Sequence, residues 1–303
     1  MNAVSALIGY AGVIGFLAPR LLLRSSWPHR APVLAVAAWQ ALAMSFVVAV
    51  SVAVYEFAEP TGHEHAGVLG LLQTCGLAAV ADHAHTTSAD LLAVAVPAAL
   101  TVLLLGVFSR EVVRAHQARS RHRAVLDLVG RRSSTLRATI IEHALPAAYC
   151  LPGRCPRVVV SQGALQLLSA DQLDAVLDHE RAHIAGRHHL VLAAAEAFAK
   201  IFRGLPLARH VREQTGLLLE MIADDRALRC HSRDVLATAM YEMAAAKTPR
   251  GAFAAGGPNA LLRLRRLLTP QHQPHPAFSG SIAAVAVTVP LLPLLAACAP
   301  SAG

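Results

Sequence analysis

Residues 179–183 read His179-Glu180-Arg181-Ala182-His183, the pattern HExxH. On a helix, residues i and i+4 lie one turn apart on the same face, so both imidazoles can reach a single ion. Glu180 is rotated about 100° from His179 at 3.6 residues per turn. Its carboxylate can therefore reach a water on the ion without occupying a coordination position. A zinc ion held this way lowers the pKa of its water to about 7. Glu180 can then take that water's proton and hand it to a leaving amine. The chemistry implied is zinc-dependent peptide hydrolysis. The bland reading of the same five residues is two solvated histidines on a helix.

A catalytic zinc site needs a third protein ligand and one open position, and two residues compete for the place. The run from His179 to His189 spells HExxHxxGxxH, which would make His189 the ligand after a sharp turn at Gly186. Against this, residues 190–200 are strong helix formers. They predict a helix that runs on past Gly186 and carries His189 away. The other candidate is Glu220, in Glu220-Met221-Ile222-Ala223-Asp224. Glu220 and Asp224 share a helix face, so Asp224 can accept an N–H from a ligand imidazole while Glu220 binds the metal. The spacing favours Glu220.

Several elements must position these side chains. Ser169 and Gln172 fit a capping box, which predicts a helix starting there and running through Leu173, Val176 and Leu177 into the motif. The β-branched run 156–161 is a strand candidate just before it, read as an edge strand able to pair with an extended peptide. Further helices are expected over about 214–229, 235–247 and 261–268, and a basic helix over 110–132. There is no internal repeat.

The chain is too apolar for an ordinary soluble protein: 55% hydrophobic and 15% charged over 303 residues, where about 25% charge is usual. A bilayer core of about 30 Å calls for roughly 20 apolar helical residues. Four stretches qualify: 4–23, 32–54, 91–108 and 278–297. The run 67–81 is short for a span and reads as interfacial or re-entrant. The first stretch lacks the basic start and small-residue cleavage site of a signal peptide. Arginines set the orientation. Arg20, Arg24 and Arg30 lie between spans one and two, and Arg110 to Arg123 follow span three, whereas no Lys or Arg lies between spans two and three. The positive-inside rule puts the N-terminus outside and residues 109–277 in the cytoplasm. The expected division is a three-span region 1–108, a cytoplasmic domain 109–277, and a last span with a short tail, 278–303. The net charge of +8 fits an anionic membrane face better than a nucleic acid, since no nucleic-acid-binding motif accompanies it. Five scattered cysteines form no framework; Cys150 and Cys155 could bridge, but free thiols are the expectation.

At these motifs the chain resembles the bacterial β-lactam sensor-transducer type of membrane metallopeptidase (family M56), whose catalytic domain is related to M48 peptidases. The resemblance rests on residues 156–165, 168–191 and 220–228, extends over roughly 110–268, and includes the order of three spans before the catalytic domain and one after. It implies a mostly helical protein with a cytoplasmic α+β, gluzincin-like metalloprotease domain in the cell membrane. It implies one zinc held by His179, His183 and Glu220, Glu180 as base, Asp224 orienting a ligand, and His188 and His189 behind the ligands or at the surface. The implied partner is a protein substrate, such as a transcriptional repressor or the chain itself. One departure stands out. The family's antibiotic sensors carry a penicillin-binding domain after the last span, and only 298–303 follow it here. Neither Lys200 nor Lys247 completes a Ser-x-x-Lys.

Other readings stay open beside this one. A signalling or scaffold membrane protein with a structural or vestigial metal site is the alternative. A transporter is disfavoured, since no paired charges lie within the spans. His63, Glu64, His65, Asp82, His83 and His85 form a polar loop with some capacity to sense a metal. Residues 295–298 imitate a lipobox at the wrong end of the chain. Met221, Met240 and Met243 suit core packing. Arg263, Arg265 and Arg266 read as a membrane-surface anchor, and His210 and Arg226 are weak candidates for an oxyanion stabiliser.

Overall fold

A computed structural model of the chain describes residues 3–58, 88–246, 257–269 and 275–297. The polar loop, the run 67–81 and Cys298 lie outside them. Four helices are long and apolar enough to cross a membrane, over Val4–Arg24, Pro32–Phe57, Ala95–Val129 and Pro276–Ala296. The first comprises α1 (Ala3–Gly12), a π-helical turn at Val13–Leu17 and α2 (Ala18–Arg24). The second is α3 (Pro32–Ala58). The last comprises α11 (Pro276–Thr288) and α12 (Leu292–Ala297), joined by a 3-10 turn at Val289–Leu291. Buried Ser45 of α3 ties the first and last spans together: Tyr10 Oη lies 2.7 Å from its Oγ, and both hydroxyls reach the Val289 carbonyl at 3.0 Å.

The third span belongs to α4 (Ser88–Val129), an unbroken helix of 42 residues. At about 1.5 Å per residue it is roughly 63 Å long, twice a bilayer core. The expected basic helix is thus the second half of the span's own helix. It stops at Val129 rather than at Arg132, because Arg131 and Arg132 enter the first strand.

The sheet has four strands, β1 (Arg131–Ser133), β2 (Ala138–Ile141), β3 (Ala148–Leu151) and β4 (Arg157–Ser161). Their order is β1-β2-β4-β3, with β2 and β4 parallel and the outer pairs antiparallel. This corrects the expected edge. Strand β4 lies inside the sheet, and β3 is the edge beside the HExxH helix. The reason is visible in burial. Val158, Val159 and Val160 are all buried, Val158 and Val160 against the helices and Val159 against Leu126 at the end of α4. A strand apolar on both faces belongs in a sheet interior.

Helices α5 (Gln162–Leu167), α6 (Ala170–Ala185), α7 (His188–Ile201), α8 (Pro206–Ala227), α9 (Arg233–Ala245) and α10 (Gly257–Leu268) complete the described chain. The capping box is present: Ser169 Oγ accepts from Gln172 N at 3.3 Å, and Gln172 Oε1 accepts from Ser169 N at 2.8 Å. Helix α6 buries Leu173, Val176 and Leu177 against the sheet. Helix α8 buries Leu207, Val211, Leu218 and Met221 in one cluster with Trp39 and Ala43 of α3 and Phe198 of α7. A membrane-spanning helix therefore forms one wall of the core that carries Glu220. Gln40 of the same span donates to buried Thr215 of α8 at 3.3 Å. The methionines pack as expected, Met221 in this cluster and Met240 and Met243 at the edges of two others.

Candidate metal centre

One turn of α6 and one turn of α8 face each other. His179 Nε2 lies 3.2 Å from His183 Nε2. It is 3.5 Å from Glu220 Oε2, and His183 Nε2 is 3.3 Å from Glu220 Oε1. Ligand atoms of these three residues all fall within 4.8 Å of one another. A tetrahedral zinc with bonds of about 2.0–2.1 Å sets its ligand atoms about 3.3–3.4 Å apart. The donor set fits zinc in spacing and in kind: two imidazoles and one carboxylate, converging from two rigid helices.

The groups behind these atoms hold them in place. Asp224 Oδ1, almost fully buried, lies 3.0 Å from His179 Nδ1. The ring N–H is not aimed along that line, so the contact is an ion pair more than a well-formed hydrogen bond. Burial pulls the His179 ring down, but Asp224 and Glu220 outweigh it and raise the pKa to about 9. Burial alone would push Glu220 up; His179, His183 and Arg263 instead hold it well below the usual carboxylate range. Glu180 is raised, mainly by burial. Its neighbour on β3 is Cys150, whose thiol burial and Glu180 together push up to about 12. That thiol stays protonated and can donate to the Glu180 carboxylate. Cys150 and Cys155 are free, as expected.

Two parts of this arrangement escaped the sequence reading. The helix does not run on past Gly186. Helix α6 ends at Ala185, Arg187 adopts a left-handed φ of 49°, and α7 starts afresh at His188. Gly186 itself has an ordinary φ; its smallness matters, because a Cβ there would collide with the His188 ring. That ring folds back so that its Nδ1 lies 2.8 Å from His183 Nδ1. Burial, with His183 beside it, lowers His188 to about 4. A neutral His188 can accept the Nδ1–H of His183 and leave His183 Nε2 unprotonated toward the ion. His189 stands outside the three-residue group, with Arg119 and Arg187 as its neighbouring charges.

The second is Arg263 of α10. Its guanidinium donates to both Asp224 oxygens, at 2.8 and 2.6 Å, and to Glu220 Oε2 at 2.7 Å. Arg266 donates to Asp225 at 2.8 Å and to the His29 carbonyl at 2.7 Å. The membrane-anchor reading of this cluster therefore fails for Arg263 and Arg266, which are turned inward because carboxylates on α8 await them; Arg265 alone is exposed. A leucine- and arginine-rich helix carries no local sign of which arginine is buried. His210 is drawn to Glu213, at 3.4 Å, and lies nearly three turns from Glu220 on α8. Arg226 is exposed and reaches the site only as a nearby charge on His188.

Fold and site together combine four long apolar helices, a small mixed sheet, and an HExxH helix completed by a glutamate from a second helix, an arrangement able to hold one metal ion. Residues 112–223 match the model of Peptidase family M48. The chain is also similar to the "Protease HtpX homolog" of Thermococcus kodakarensis (strain ATCC BAA-918 / JCM 12380 / KOD1), 34% identical over 101 residues, which are 32% of this chain and 34% of that protein. The chain thus spans about a third of the length of the curated relative it matches. No solved structure gives a significant match.

Proposed function

We propose that this chain is a membrane-integrated zinc endopeptidase. His179, His183 and Glu220 hold one zinc ion, and Glu180 is the catalytic base. The observation that carries this reading is the convergence of ligand atoms from three residues, at 3.2–3.5 Å, from two helices inside the M48-matched segment. When bound, zinc would polarise the scissile carbonyl and acidify the attacking water. Glu180 takes that water's proton and delivers it to the leaving nitrogen. Asp224 and Arg263 orient His179 and Glu220, and His188 fixes the tautomer of His183. Edge strand β3 holds an extended substrate by backbone pairing beside Glu180.

The arginine distribution supports residues 109–277 on the cytoplasmic face and the N-terminus outside. Residues 1–108 and 278–303 are then the membrane portions on either side. The resemblance to sensor-transducer peptidases supports a regulatory role, with a transcriptional repressor or the chain itself as substrate. Glu180→Gln tests the chemistry: it should abolish cleavage, including self-cleavage, while zinc content stays at that of the wild type. Zinc retained by a wild-type chain that cuts neither itself nor a candidate repressor would favour the scaffold reading.

A further inference from the structure

A groove at the membrane boundary joins an apolar slot to a cationic mouth. The slot, about 350 Å³, lies among the first, second and last spans and is walled by Leu21, Leu22, Ala38, Leu42, Ile282 and Val285. Ser25 and Trp27 also line it, and the same two residues line a second cavity of about 630 Å³ with Arg24, Arg30, His275 and Phe278. Trp27 and Phe278 meet edge to face at 6.3 Å where the two join. Tryptophan at such a junction marks the headgroup level of a bilayer. A third cavity continues from Ser26 and Arg30 to Arg265 of α10.

The charges in this groove set it apart from the other arginines of the region. Arg263 and Arg266 are neutralised by Glu220, Asp224 and Asp225. No carboxylate among the described residues pairs with Arg24 or Arg30, and none lines the slot or its mouth. Two guanidiniums without a counter-ion among the described residues call for an anion, best a phosphate with its several acceptor oxygens. The slot behind them calls for hydrocarbon, since its volume falls within the range of ligand cavities, about 300–1,000 Å³. A soluble anion leaves the slot without a partner. A zwitterionic lipid brings a second cation toward the arginines.

We propose that this groove is a binding site for one anionic glycerophospholipid, with an acyl chain between the first, second and last spans, the glycerol at Ser25 and Trp27, and the phosphate on Arg24 and Arg30. The proposal rests on the membrane placement of the function proposed above, not on its proteolytic chemistry.

The test is native mass spectrometry of the full chain taken from vesicles of mixed phosphatidylcholine and phosphatidylglycerol. The wild type should retain phosphatidylglycerol in excess of its share. Arg24→Gln with Arg30→Gln should cut that preference by roughly tenfold or more, the loss expected for two arginines at an anionic surface. Ala38→Phe, which fills the slot, should lower retention of both lipids. An excess of inorganic phosphate should displace nothing. Retention in proportion to supply, or an unchanged preference in the double arginine variant, would overturn the site. Displacement by inorganic phosphate alone would also overturn it, by showing an anion site with no use for the slot. Zinc content read on the same samples reports the metal centre separately, so a chain that selects phosphatidylglycerol without holding zinc sinks the protease reading and leaves this one standing.

Discussion

The two walls of the metal centre are built differently. One wall is a single stretch of α6: His179, Glu180 and His183 fall within five residues, and His188 joins them from the start of α7. The other wall is gathered from three separate parts of the chain. Glu220 and Asp224 come from α8, Arg263 arrives from α10, and α8 itself leans on Trp39 and Gln40 of a membrane span. The first wall needs little beyond a helix. The second needs the whole fold, so it is where the site can be loosened without touching a ligand.

Glu220→Ala should have the largest effect, removing a ligand from the assembled wall. Zinc should no longer co-purify with the chain, as metal analysis beside the wild type would show. If zinc stays bound with unchanged affinity, the assembled wall is not part of the site. Arg263→Met comes next. Loss of a group that orients ligands costs typically 10–100-fold in metal affinity, and competition against a chelator would measure it; the d–d spectrum of a cobalt-substituted chain should shift too, while Arg263→Lys recovers only part because it cannot grip two carboxylates at once. His188→Phe strikes the corresponding support on the local wall. It should cost about tenfold, the low end of that range, because the motif helix still places His183. Equal losses for Arg263 and His188 would erase the distinction between the walls. Gln40→Leu is the mildest change: about 1 kcal/mol of stability for one hydrogen bond between the span and α8, read as a lowered thermal midpoint with zinc affinity within a few-fold of wild type.

Proton competition gives a further check on the assembled wall. Asp224 and Glu220 raise the apo-site His179 to about 9. Below that pH the ring carries a proton that zinc must expel, so uptake releases a proton and the apparent affinity climbs with pH, about tenfold per unit for a one-proton exchange. The climb should level off near pH 9. In Asp224→Asn it should level off at a lower pH, because the neutral amide no longer favours the imidazolium.

What could be read in advance follows the same division. The HExxH spacing, the capping box and the pairing of Glu220 with Asp224 are periodicities of single helices, and each survives inspection of a one-dimensional string. The four long apolar helices were legible for the same reason, since bilayer thickness translates directly into a count of residues. The interior position of β4 was not legible, because it depends on which strand pairs with which across the intervening β3. The end of α6 was hidden too. Helix propensity on either side of Gly186 and Arg187 is high, and the break depends on a histidine ring needing the room a side chain would fill. Arg263 stands 43 positions from Glu220, among neighbours of identical type, and nothing local separates it from Arg265.

The shared interior of α3 and α8 has a practical consequence. Severing the chain after the third span to obtain a water-soluble form would strip Trp39 and Ala43 from Leu207, Val211 and Leu218 and leave an oily stripe along the helix that bears Glu220. Such a fragment would tend to clump, or to let that helix drift, and its metal centre would fade with it. Work on this molecule has to keep its greasy half attached.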